Sequence, residues 1–176
     1  MLLLPNQVRI LPPNPEEAMD FKRVIVTLIV TVAFVVNPRA TFASDKSDVV
    51  DAVHRYLDNL DTDKLQTALA MCDPEVSILD EFPPHAWHGP TACADWWKDY
   101  LAYNEKSGIT DADDMLGNPW TVDVTGDRAY FVAPITYTYK QNGKSIKESA
   151  SFAVALKRTQ TGWHITSWAY SKQTLE

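Results

Sequence analysis

The sequence predicts an α+β fold, with helices in the first half of the domain and an antiparallel sheet in the second. Two observations carry this. From Ser47 to Cys72, and again from Gly89 to Tyr103, apolar residues recur at helical spacing. From Pro119 the character changes to four runs rich in Val, Ile, Thr, Tyr and Trp: PWTVDV, RAYFVAPITYTYK, KSIKESASFAVALKR and WHITSWAYSK. They are joined by Thr125-Gly126-Asp127, Gln141-Asn142-Gly143 and Thr159-Gln160-Thr161-Gly162. Asn-Gly between alternating runs is the strongest short hairpin signal a sequence offers. The expectation is a curved sheet with helices packed on one face.

The 176 residues suit one domain, and 45% hydrophobic with 22% charged residues is an ordinary globular balance. A net charge of −7, with lysines and arginines scattered singly, argues against nucleic acid or an anionic membrane as partner. Residues 1–43 read as an export signal rather than as part of the fold. Lys22-Arg23 precedes the apolar run Val24–Val36, too short for a membrane span, and Thr41-Phe42-Ala43 offers a cleavage site after Ala43. Met19 makes a better signal start than Met1, because the residues before it are proline-rich. The mature protein, residues 44–176, is therefore expected to be secreted or periplasmic, with no membrane span. Export also bears on Cys72 and Cys93, the only two cysteines. An oxidising compartment permits a disulfide between them, and two buried thiols are the alternative.

Ser47 with Asp48 behind it is a helix start, and Val49, Val50, Val53, Tyr56, Leu57 and Leu60 share one helical face. Leu65, Leu69 and Cys72 mark a second short helix, which Asp73-Pro74 ends. Glu75–Phe82 reads as a strand, and Pro83-Pro84 with the residues up to His88 as a loop. Gly89-Pro90 opens a third helix carrying Cys93, Trp97, Tyr100 and Leu101, with Trp96 and Tyr103 flanking. Residues Asn104 to Asn118 read as a polar, acidic connection. Its Asp111-Ala112-Asp113-Asp114 is a solvated loop rather than a calcium loop, which would need glycine where Leu116 stands and glutamate where Val122 stands.

Trp87-His88-Gly89-Pro90 before the third helix, Gly162-Trp163-His164-Ile165 with Ser171 in the last strand, and the order of elements together resemble the nuclear-transport-factor-2-like superfamily. More narrowly the chain resembles its SnoaL-like and ketosteroid-isomerase-like branch, over nearly all of residues 45–173. The resemblance implies a cone-shaped, strongly curved, mostly antiparallel sheet with three N-terminal helices on its concave face. It also implies an enclosed apolar pocket and, commonly, a homodimer formed through the sheet. In ketosteroid isomerases a tyrosine on the first helix stabilises an enolate and an aspartate on the first strand shuttles the proton; Tyr56 and Asp80 fall on these positions. The isomerases add a protonated aspartate on the next-to-last long strand. Here that stretch is Ser149-Ala150-Ser151-Phe152-Ala153, with no carboxylate, so Ser149 or Ser151 stands as a weaker donor.

The chemistry suits the residue types. A carboxylate among apolar neighbours has its pKa raised toward a useful range, and a phenol donates well to a developing oxyanion. The candidate catalytic residues are thus Asp80, Tyr56 and, at the pocket mouth, His85. Candidate ligand contacts are Trp87, His88, Trp97, Trp120, Ser151, Trp168 and Tyr170; by alternation Trp168 and Tyr170 share one strand face. No cofactor or metal is expected, since no phosphate loop, dinucleotide fingerprint or third metal ligand is present at recognisable spacing. Two functions fit: a cofactor-independent isomerase, cyclase or dehydratase acting on a small apolar molecule, or a non-catalytic binding or dimerisation module of the same fold.

Overall fold

A computed structural model of the chain describes residues 38–62 and 64–173, with side chains described from Asp45 onward, Asp61 excepted. The segment read as an export signal therefore lies almost wholly outside the described residues. Helix α1 (Pro38–Asp61) begins upstream of Ser47, so the cleavage site read after Ala43 falls within a helix. Helix α2 (Leu65–Leu69), strand β1 (Cys72–Leu79) and the short strand β2 (Ala86–His88) follow, then helix α3 (Ala92–Ser107). Strands β3 (Ile109–Leu116), β4 (Thr121–Thr125), β5 (Arg128–Gln141), β6 (Lys144–Thr159) and β7 (Gly162–Lys172) complete the chain.

The strands form one curved, unclosed sheet of seven in the order β2-β1-β7-β6-β5-β3, with β4 also paired to β5. All pairings are antiparallel except β1 with β7. Asn142 and Gly143, both at positive φ, make the predicted β5–β6 turn, from which Gln141 pairs Lys144 and the ladder runs on to Arg128 and Lys157. Strand β5 serves two partners in succession. Its first half pairs β4 through Thr121↔Val132, and its second half pairs β3 through Leu116↔Ile135. Pro134 stands at the change-over, where its carbonyl accepts the Gly117 N–H at 2.8 Å. A Cβ on Gly117 would meet the Pro134 ring at 2.9 Å, so the close approach requires glycine there.

One face of the sheet carries the core. On β6 it presents Glu148, Ala150, Phe152, Val154 and Leu156, all buried, and on β5 Ala129, Phe131, Ala133 and Ile135. Val49, Ala52, Val53, Tyr56, Leu57 and Leu60 of α1 pack against these residues, as the helical spacing predicts. Each buried Val, Leu or Ile contributes about 1.5–3 kcal/mol relative to exposure. The bridge between Arg158 and Asp45 (2.6 Å) ties α1 to β6. On β7, Trp163 and Ile165 face the core, and so do Trp168 and Tyr170, despite the change from odd to even numbers. A register shift opposite Ala155 and Leu156 supplies the extra residue. Cys72 at the start of β1 and Cys93 in α3 form a disulfide with 6.7 Å between Cα atoms.

The acidic connection differs from expectation. Residues Ile109–Leu116 are an edge strand, not a loop, with Asp111, Ala112 and Asp113 exposed. Aspartates disfavour strands in propensity, but charges on an edge prevent pairing with another chain. Similarly, part of the proline loop closes as β2, where Leu79↔Ala86 begins a short pairing with β1.

Candidate active site

The long strands extend past the core, and their inner-face residues there line a cavity of about 960 Å³ covered by α1 and α3. Strand β7 continues its face from Trp168 to Tyr170 and Lys172, β6 contributes Phe152 and Glu148, and β5 contributes Ile135, Tyr137 and Tyr139. Helix α1 brings Tyr56, and α3 brings Trp96, Trp97 and Tyr100. The rings pack on one another: Trp96 meets Trp168 edge-on at 4.9 Å and stacks on Tyr100 at 5.6 Å, and Trp97 stacks on Tyr100 at 5.3 Å.

Asp80 follows the last residue of β1 and lines this cavity. Its inward direction follows from alternation, since Val76 and Ile78 of the same strand are buried. Its carboxylate is held on both oxygens: Trp96 Nε1 donates to Oδ2 at 2.8 Å, and the Glu81 backbone N–H donates to Oδ1 at 2.7 Å. Burial nevertheless raises its pKa above the usual 3.8, outweighing those donors and the nearby His85. Tyr56, only 1% exposed, accepts a hydrogen bond from Trp168 Nε1 at 3.2 Å. Burial first, and the Asp80 charge in addition, pushes its phenol pKa far above the ordinary value, so it is a neutral donor throughout the accessible pH range.

A second polar group stands in the same cavity. Glu148, 6% exposed, accepts at Oε1 from Tyr139 Oη (2.7 Å) and from Lys172 Nζ. Burial, followed by the Glu148 charge, raises the pKa of Glu81, which reaches Glu148 with its side chain. Sequence reading places serines on this part of β6. The register Tyr137↔Glu148 shows the inner-facing residue to be the one before Ser149. Glu81, next along the chain, is exposed yet also lines the cavity. Beyond the end of β1, strict alternation no longer holds.

Of the residues singled out from sequence, Tyr56, Asp80, Trp97, Trp168 and Tyr170 come together on the cavity wall. The others lie elsewhere, each for a definable reason. Trp87 is buried against Phe82 at 5.1 Å, and its Nε1 donates to Asp99 of α3 at 2.9 Å, so it fastens β2 to the helix. His88 is exposed and its Nδ1 meets Ser77 Oγ across β1 and β2 at 2.8 Å. His85, at φ 73°, sits in the loop after Asp80; its carbonyl accepts the Asp80 N–H at 3.1 Å. It braces the loop rather than lining the cavity. Trp120 is 59% exposed, ahead of β4. Ser151 pairs Pro134 and Ser171, on the sheet face opposite Phe152.

The family model of the SnoaL-like domain matches residues 47–175. The chain belongs to this SnoaL-like domain family. No curated protein matches the sequence. Solved structures share the fold. An NTF2-like protein with a cystatin-like fold from Novosphingobium aromaticivorans is 15% identical at a TM-score of 0.65, with 84% of this chain and 94% of that one covered. An NTF2-like superfamily protein from Salmonella enterica is 18% identical at 0.61, over 76% and 94% of the two chains. A ketosteroid isomerase-like protein from Erwinia carotovora is 15% identical at 0.59, over 74% and 98%. At these identities the likeness concerns the fold alone.

Proposed function

We propose that this domain is a cofactor-independent enzyme of the isomerase, cyclase or dehydratase kind. Asp80 acts as general base on a small, largely apolar molecule and Tyr56 supplies a hydrogen bond to the developing oxyanion. One observation supports this above the others: a carboxylate with a raised pKa stands on the wall of an aromatic cavity, fixed on both oxygens by Trp96 and the Glu81 N–H. Two N–H donors hold Asp80 in one orientation, and a base with a raised pKa takes a carbon-bound proton more readily than an ordinary carboxylate. The Tyr56 hydroxyl, already an acceptor from Trp168, keeps its own proton for donation.

The depth of Tyr56, 1% exposed, favours a second reading in which the cavity binds a ligand without chemistry. Deuterium exchange separates the two. With 2-tetralone, a flat enolisable ketone, in D2O, the enzyme reading expects the wild type to accelerate exchange at the α-carbon. Asp80→Asn should lower that rate by about a hundredfold or more, in the range of a lost general base. No acceleration by the wild type, or acceleration equal in both proteins, contradicts it. Export through residues 1–43 and a homodimer through the uncovered sheet face complete the proposal. The mass of the exported chain and light scattering in solution test these two points.

A further inference from the structure

The charge on the cavity wall is one-sided. Asp80, Glu81, Glu105, Asp114 and Glu148 line it, with Asp111 paired to Lys140 at its edge, against a single cationic side chain among the lining residues, Lys172. Within that wall a buried acceptor lacks a donor: Glu148 Oε1 takes both Tyr139 and Lys172, while Glu148 Oε2 is buried with no hydrogen-bond partner. The Glu81 carboxyl reaches Glu148 too, and burial with the Glu148 charge makes it hold its proton more tightly, so an arriving cation competes with that proton for the two carboxyls. The Tyr170 hydroxyl is likewise buried and unpartnered. A buried carboxylate oxygen left unpaired is costly, so a donor arriving there is favoured. The same cavity is lined by Trp96, Trp97, Tyr100 and Trp168, aromatic rings of the kind that attract cations.

We infer that the cavity takes an organic ammonium, an amine whose apolar body lies against the tryptophans while its N–H groups donate to Glu148 Oε2 and the Glu81 carboxylate. This names the ligand class of the cavity assigned above to proton transfer. It rests on that cavity being the ligand site and is read from binding, which needs no turnover. Asp80 lines the same cavity. Lys172 holds the Oε1 side of Glu148 and leaves the Oε2 side to the ligand.

Tryptophan fluorescence and calorimetry with three probes of one shape test the inference: 2-phenylethylammonium, neutral 2-phenylethanol and anionic phenylacetate. The ammonium should bind about tenfold tighter than the alcohol, and phenylacetate weakest, as expected where a desolvated cation meets carboxylate and ring faces. Added salt should weaken the ammonium and leave the alcohol unchanged. Glu148→Gln, with its fold verified by circular dichroism, should reduce the preference to about threefold or less, since the neutral amide keeps the shape but not the charge. The alcohol binding as tightly as the ammonium, phenylacetate binding tighter, none of the three binding, or a preference unchanged in Glu148→Gln would each overturn it. If Glu148→Gln does not fold, the wild-type order of the three probes decides. A chain that prefers the ammonium but fails to exchange 2-tetralone keeps the ligand class and loses the chemistry.

Discussion

Asp80 illustrates how one residue's environment sets its chemistry. Burial favours the protonated carboxyl, while Trp96 Nε1 and the Glu81 N–H favour the carboxylate; burial prevails. The folded protein therefore binds this proton more tightly than the unfolded chain does. The associated stability is fully present below pH 3.8 and is lost as the pH rises through the folded-state value. Glu81, also raised, adds to the same trend. Urea unfolding at a series of pH values should show wild-type stability falling over this window, and Asp80→Asn should flatten part of the fall. Trp96→Phe removes the donor to Oδ2, so the Asp80 carboxyl should titrate higher still in carbon-detected NMR. Tyr56→Phe leaves the buried Trp168 Nε1 without its acceptor and should cost about 1–3 kcal/mol in stability.

At the level of elements, two junctions hold the cavity walls in place. Helix α3 ends on Gly108 at φ 66°, where its N–H reaches back to the Glu105 carbonyl and a Cβ would meet the tip of the Asn142 side chain. Gly108→Ala should therefore lower stability by about 1 kcal/mol through strain in the left-handed backbone, read as a drop in thermal midpoint. The Cys72–Cys93 disulfide joins the other end of α3 to β1, linking cysteines 21 positions apart. Its loss in a Cys72→Ala, Cys93→Ala chain should cost about 3 kcal/mol, mostly by freeing the unfolded chain. The hairpins of β5, β6 and β7 were legible because turn chemistry and alternation agree there. Strand β3 was not, because its aspartates serve an exposed edge rather than a packed face.

For the whole molecule, the sequence carried the order of the helices and the long hairpins, and five of the residues on the cavity wall. Tyr56, Trp168 and Tyr170 follow helical spacing and strand alternation, which local pattern preserves. Glu148 was hidden by one residue of register, set by the long β5–β6 ladder rather than by anything adjacent to it. Trp87 and Trp120 show the converse, since aromatic residues beside a cavity are equally useful as struts or on the surface. The molecule that results is a curved sheet whose core half carries stability and whose extended half, closed by α1 and α3, carries a carboxylate among rings.

The pH dependence of 2-tetralone exchange, followed in the wild type beside the NMR titration of Asp80, tests that account most directly. The exchange rate should rise with pH to a plateau, with its midpoint at the pKa measured for the Asp80 carboxyl, raised from the ordinary 3.8, and the profile should vanish in Asp80→Asn. An exchange rate that does not follow the Asp80 titration, or that survives the substitution, would contradict it.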